Sequence, residues 1–137
     1  MLVKIKPKKY GPLTVQSVDG TTLTFETEAG LRANAALTPA ANAMSPSDLM
    51  LAALANCLSI SMRMAAQQMA LELGALALSA TATKATDLPN RFGRFDIIAR
   101  TSIAVDATQI DALLKRTKDI CTVSNTLGAE VVLQLNP

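Results

Sequence analysis

The spacing of apolar residues switches along the chain from period two to helical spacing and back. At the start, Val3 and Ile5 alternate with Lys4 and Lys6 until Pro7 ends the run. That is the pattern of a short edge strand, and Lys8 and Lys9 extend its protective charge. LTVQSVDGTTLTFET follows. Its β-branched runs on either side of Asp19-Gly20 predict a hairpin with a two-residue turn, Leu23 and Phe25 on one side and Thr22 and Thr24 on the other. Gly30 marks the next turn, and 33–45, rich in Ala, Asn, Thr and Pro with little periodicity, reads as a long loop.

Helical spacing begins at a well-signalled start. Ser45 suits the N-cap, Pro46 the first helical position and Asp48 the third place of a capping box, so a helix is predicted from 46 to 68 or 70. Asn56, Ser59, Arg63 and Gln67 fall on one narrow stripe; the rest is Leu, Met, Ala, Ile, small Ser and Cys57. A helix apolar around most of its girth is a central helix. A chain of 137 residues has little else to cover it, which predicts a partner subunit that shares the core. After Gly74, LALSATATK and FDIIARTSIAV alternate as two strands joined by TDLPNRFGR. A second helix, capped by Asp106 or Thr108, puts Ile110, Leu113, Leu114, Thr117 and Cys121 on one face. Gly128 closes a short turn after VSNTL, and AEVVLQLN is the last strand. The order β-β-β-α-β-β-α-β makes a single α+β domain over 1–137.

Composition narrows the chemistry. Half the residues are apolar and 18% charged, so the chain folds. The net charge of +2, with no Lys/Arg stripe beyond 4–9, gives no case for a nucleic-acid partner. Lys115, Arg116 and Lys118 complement the C-terminal half of the second helix. The most membrane-like stretch, 49–71, is interrupted by Asn56, Ser59, Ser61, Arg63, Gln67 and Gln68; Arg63 alone would cost a few kcal/mol in a bilayer, so no membrane partner is expected. MLVKIKPKKY lacks the apolar run of a signal peptide, which points to the cytoplasm. The absence of His removes His triads, zinc-hydroxide hydrolysis and haem ligation by His. Two Cys cannot build a four-ligand zinc site within one chain, and no GxGxxG, GxxxxGK or CxxC motif is present, so no metal or cofactor is expected.

What remains is Cys57 and Cys121, 64 residues apart. A Cys in a packed helix can be an inert core residue. It can also be reactive, in which case a cation or a helix N-terminus must lower its pKa. Cys57, in mid-helix, lacks the second, so the first would come from another segment or chain, with Arg32, Arg91, Arg94 and Arg100 available. Ser61 lies one turn beyond Cys57, and Thr122 and Ser124 follow Cys121 as further donors.

SPSDLMLAALANCLSISMRMAA, followed later by ICTVSNTL, resembles the OsmC/Ohr family of osmotically inducible and organic hydroperoxide resistance proteins. The resemblance spans essentially the whole chain. It implies two antiparallel sheet segments around a long central helix, in an intertwined homodimer with active sites at the subunit interface. It also implies a cysteine-dependent peroxidase: Cys57 would attack a small hydroperoxide and become a sulfenic acid, Cys121 would condense with it, and a cellular dithiol would reduce the disulfide. The family's peroxidases carry a Glu after the helix-opening Pro and an Arg in an N-terminal Gly-Arg segment. Here Ser47 and Val18-Asp19-Gly20 stand at those places. Asp48, the next residue, matches the acid of many OsmC-like relatives, and Arg32 is the only arginine before the central helix. Two other readings compete: a non-catalytic dimer holding a small apolar ligand along Met50, Met62, Met64 and Met69, and a stress-associated protein without peroxidase activity.

Overall fold

The structure, a computed structural model, describes residues 5–136. It is α+β, and the chain divides into two compact units between Asp48 and Leu49, inside the first turn of the long helix.

The first unit holds an antiparallel sheet of β1 (Thr14–Ser17), β2 (Leu23–Glu26) and β3 (Arg32–Ala35), in that order. Val15, Phe25 and Ala33 stand in register across it on one face, and Thr14, Glu26 and Arg32 on the other. Of the edge strand expected at 3–6, Val3 and Lys4 lie outside the described residues, and 5–9 form no strand. The hairpin turn is wider than expected: Ser17 pairs with Leu23, leaving 18–22 as the loop. The Asp19 carboxylate organises that loop by accepting from Thr21 N–H at 2.8 Å and Thr22 N–H at 2.7 Å. The Thr21 N–H first, then the Thr22 N–H and the Thr21 hydroxyl, hold the Asp19 carboxyl down at about 2. The stretch 33–45 is not a free loop. Its start is β3, and Met44 bridges back through Ala36 N–H to Met44 O at 3.0 Å and Met44 N–H to Asn34 O at 3.1 Å. Arg-Ala-Asn-Ala has no β-branched residue to announce a strand; the ladder to β2 makes it one.

The second unit carries most of α1 (Pro46–Gln68), then β4 (Leu76–Lys84), β5 (Phe92–Thr101), α2 (Ala107–Ile120), α3 (Thr122–Thr126) and β6 (Glu130–Asn136). The sheet order is β4-β5-β6. This sheet is mixed, not antiparallel throughout: β4 runs antiparallel to β5, but β6 runs parallel to it. The reason is α2. A strand, a helix and a return strand form a crossover, which brings the chain back in the same direction. Alternation along β5 buries Phe95, Ile97 and Ala99. They join Leu54, Leu58, Met62, Ala65 and Ala66 of α1, Leu113 of α2, and Val131 and Leu133 of β6 in one core.

α1 is long and apolar enough to cross a membrane by length and composition alone, but the buried residues just named tie one side of it into this core. It ends in a Schellman turn, with Leu71 N–H on Ala66 O at 2.8 Å and Ala70 N–H on Gln67 O at 3.2 Å. The left-handed residue there is Ala70, at φ 56°, where glycine is usual. Gly74, at φ 68°, follows, and a Cβ on it would run into the Ser102 hydroxyl. That hydroxyl accepts from Ala75 N–H at 2.7 Å, and Gly74 O accepts from Arg63 at 2.8 Å. Ala70→Gly therefore relieves the left-handed cost of about 1 kcal/mol and should raise the thermal midpoint by a few degrees. Gly74→Ala should lower it. Calorimetry of both variants checks the pair, and a destabilised Ala70→Gly would contradict this account of the turn.

A dithiol at a break between two helices

Cys57 lies about three turns into α1, half-buried; Cys121 is fully buried between α2 and α3. The fold brings their sulfurs to near-disulfide distance as free thiols. Cys121 owes its place to a break in the helix. It ends α2, its N–H still on Thr117 O at 3.2 Å, then turns extended (φ −72°, ψ 107°) and caps α3. The break releases the N–H groups of Thr122, Val123 and Ser124, which a continuous helix would have spent on carbonyls four residues back. Ser124 N–H donates to Cys121 Sγ at 3.4 Å. The N–H groups of Val123 and Thr122 ease the ionisation of Cys57, and that of Val123 eases Cys121 as well.

The two thiols are thereby made unequal. Burial works against ionisation of Cys57, but it is outweighed by the Val123 N–H, the Cys121 thiol, the Ser61 hydroxyl and the Thr122 N–H, and the Cys57 pKa falls below the usual thiol value. Burial pushes the Cys121 thiol up and the nearby Cys57 sulfur adds to it; the N–H groups of Ser124 and Val123 oppose this without reversing it. The pair favours one thiolate, on Cys57, with Cys121 as its hydrogen-bond donor.

Within the chain, the leading groups that ease Cys57 ionisation are N–H, O–H and S–H donors. Three of the four candidate arginines are paired with carboxylates. Arg32 pairs with Glu26 at 3.2 Å across β2 and β3. Arg91 pairs with Asp87 at 2.7 Å, and Arg94 with Asp96 at 2.9 Å and Glu130 at 3.8 Å. Arg100 is exposed on β5. Asp48 closes the capping box as its spacing predicted, accepting from Ser45 N–H at 3.0 Å and the Ser45 hydroxyl at 2.9 Å. Arg32 and Asp48 both lie in the first unit and both cysteines in the second. Of the Met stripe, Met62 is core, Met64 is exposed, and Met50 lines a cavity of about 350 Å³ with Phe92, Phe95 and Leu127. Sequence reasoning named Thr122 and Ser124 as donors but not the backbone N–H groups as such, and missed Val123. A reading of 117–126 as two helices split at Cys121 would have exposed them.

An α+β fold with a long helix that carries one of two facing thiols defines a dithiol protein class. The model of the OsmC-like proteins matches residues 39–136, and the chain belongs to that family. No curated protein matches the sequence. Among solved structures, an OsmC-like protein from Mycoplasma pneumoniae is similar at 16% identity with a TM-score of 0.82, covering 96% of this chain and 98% of its own. The organic hydroperoxide resistance protein OsmC from Legionella pneumophila is similar at 19% identity and a TM-score of 0.74, covering 95% and 100%. The organic hydroperoxide resistance protein OhrB of Bacillus subtilis is similar at 17% and 0.70, covering 91% and 96%. At these identities the likeness is one of fold.

The inequality of the thiols has a direct readout. Alkylation by iodoacetamide across pH, resolved by residue in a mass spectrometer, should give Cys57 a midpoint on the acid side of an ordinary thiol's and Cys121 one on the alkaline side. Cys121→Ala removes the thiol donor and should raise the Cys57 midpoint. Equal midpoints in the parent protein would refute the arrangement.

Proposed function

We propose that the protein is a cysteine-dependent peroxidase that reduces small organic hydroperoxides. The observation that carries this reading is the facing pair itself, with ionisation eased on Cys57 and opposed on Cys121. A peroxidatic sulfur must be a thiolate when the peroxide arrives, and a resolving sulfur must stay protonated until it is needed. The Cys57 thiolate attacks the terminal peroxide oxygen and the O–O bond breaks. Cys57 becomes a sulfenic acid, and the alkoxide leaves as the alcohol after taking a proton. Cys121 then attacks the sulfenic sulfur, forming the disulfide and releasing water. A dithiol reductant returns both thiols and becomes a disulfide itself. Arg32 is assigned to the peroxide and Asp48 to its support; each would first give up its present partner, Glu26 or Ser45. The cytoplasm, where the pair stays reduced between turnovers, is the compartment this reading requires.

The reading includes a homodimer. Leu49, Ile60 and Met64 are exposed on α1, Ile60 to 57%, and in the first unit Val15 of β1 is exposed to 57% on the apolar face of its sheet. Apolar positions of this kind on both units suit a second copy of the chain, burying roughly 2,000 Å² or more. The cavity of about 350 Å³ beside Met50, Phe92, Phe95 and Leu127 supports a second reading, a non-catalytic dimer that holds a small apolar ligand there.

Light scattering at micromolar concentration should give the dimer mass; a stable monomer would remove the shared-core reading. Stopped-flow mixing of reduced protein with cumene hydroperoxide should form a Cys57–Cys121 disulfide with loss of two thiols per chain. Cys57→Ser should abolish turnover, and Cys121→Ser should stop after one oxidation. Arg32→Ala should slow the first step at least tenfold. Oxidation no faster than that of a free thiol would leave the ligand-holding reading in place of the enzyme.

A further inference from the structure

The break at Cys121 poses a physical question that the thiols alone do not answer. A five-residue helix has almost no stability of its own. The cheaper local outcome is for α2 to continue, with Val123 N–H returning to Asp119 O four residues back. In that conformation the Val123 N–H is lost to sulfur. Something must keep the carbonyl of Asp119 from taking it.

That something is visible. The side-chain amide of Asn125 donates from Nδ2 to Asp119 O at 3.0 Å. It fills the acceptor that Val123 N–H would use in an unbroken helix. The Asn125 backbone N–H meanwhile donates to Cys121 O at 3.0 Å, so the same residue closes the first turn of α3 and caps the last turn of α2. The other contacts that shape this turn, Thr126 Oγ1 to Thr122 O at 2.7 Å and Leu127 N–H to Val123 O at 3.1 Å, stay within α3 and its cap. Asn125 reaches back across the break. Its side chain is exposed and buries nothing, so packing does not explain its amide.

We propose that Asn125 is a positioning residue for the dithiol: by occupying the Asp119 carbonyl it keeps the Val123 N–H free for the sulfur pair, where Cys57 ionises first. The inference rests on the reading of Cys57 as the reacting thiol, and deepens it. Asn125 touches neither sulfur and acts through the backbone. The chemistry is specific to an amide. Asp at 125 has the shape but no donor when ionised, and cannot bond a carbonyl. Gln keeps the donor on a longer stem.

The experiment is the residue-resolved alkylation profile of Cys57, run on the parent protein, Asn125→Ala, Asn125→Asp and Asn125→Gln, with thermal midpoints alongside. Asn125→Ala and Asn125→Asp should each raise the Cys57 midpoint by half a pH unit or more, slowing alkylation at pH 7 about threefold or more, with Gln recovering part of the shift. A purely structural role would lower the thermal midpoint and leave the pH profile in place, and that result overturns the proposal. A variant too unstable to read is replaced by Val123→Pro, which deletes the N–H directly and should shift the profile the same way; an unshifted profile there also overturns it. A parent midpoint at or above the free-thiol value overturns the proposal together with the reading it rests on. A low parent midpoint that moves with Asn125, in a protein that does not turn over hydroperoxide, upholds the positioning role and rejects only the peroxidase.

Discussion

Backbone N–H groups in a helix are normally committed to carbonyls four residues behind them, and a sulfur is a poor competitor for them. The site here depends on suspending that commitment at one residue. Cys121 takes an extended ψ of 107°, three N–H groups lose their carbonyl partners, Ser124 N–H turns to the Cys121 sulfur, and the N–H groups of Val123 and Thr122 ease the ionisation of Cys57. The rest of the second unit serves to make that exchange possible. α1 delivers Cys57 from a helix fixed by Leu54, Leu58 and Met62 in the core. α2 delivers Cys121 on the face buried at Leu113 and Thr117, where the Thr117 hydroxyl donates to Leu113 O at 2.7 Å and needs nothing else. A hydrogen-bond donor gains strength as the sulfur gains charge, so the donors around Cys57 favour the thiolate over the thiol.

This arrangement differs from one built on an arginine. A guanidinium brings a full charge and a long flexible stem, and it can serve substrate and thiolate together. Backbone donors bring partial charges fixed by secondary structure, at little cost in side-chain entropy. They need no particular side chain at 122 or 123, which is why the residues beside Cys121 look undistinguished. The arginines are meanwhile free to hold the surfaces together, Arg94 bridging β5 to Glu130 of β6 and Arg63 clasping the turn at Gly74.

Much of the fold was legible because it is written in local chemistry. The Ser45–Pro46–Asp48 cap placed the start of α1, and Asp106 the start of α2, through side chains that bond the first free N–H groups. Alternation in β4 and β5 was equally plain. What was not legible depends on partners distant in sequence. Arg-Ala-Asn-Ala becomes β3 only because β2 lies beside it. The run Glu130–Asn136 declares a strand but not its direction, which the α2 crossover sets. At the site, both cysteines were legible as residues, and their pairing followed from family resemblance, not spacing. α3 was hidden because five residues carry no periodicity, and the N–H donors were hidden because every residue has one.

The parallel pairing of β6 with β5 also governs when the site comes into being. β4 and β5 form a local hairpin, able to close early, but β6 is the last strand and must return across the whole of 102–129 before it finds β5. Contacts of that separation lose loop-closure entropy before any burial is gained. Until the crossover closes, α2 lacks β6, the strand it packs beside, and Cys121 is held less firmly relative to Cys57. On the ribosome the two thiols are therefore held firmly together only after the final strand has emerged. A chain cut short before Glu130 would carry two less firmly matched cysteines.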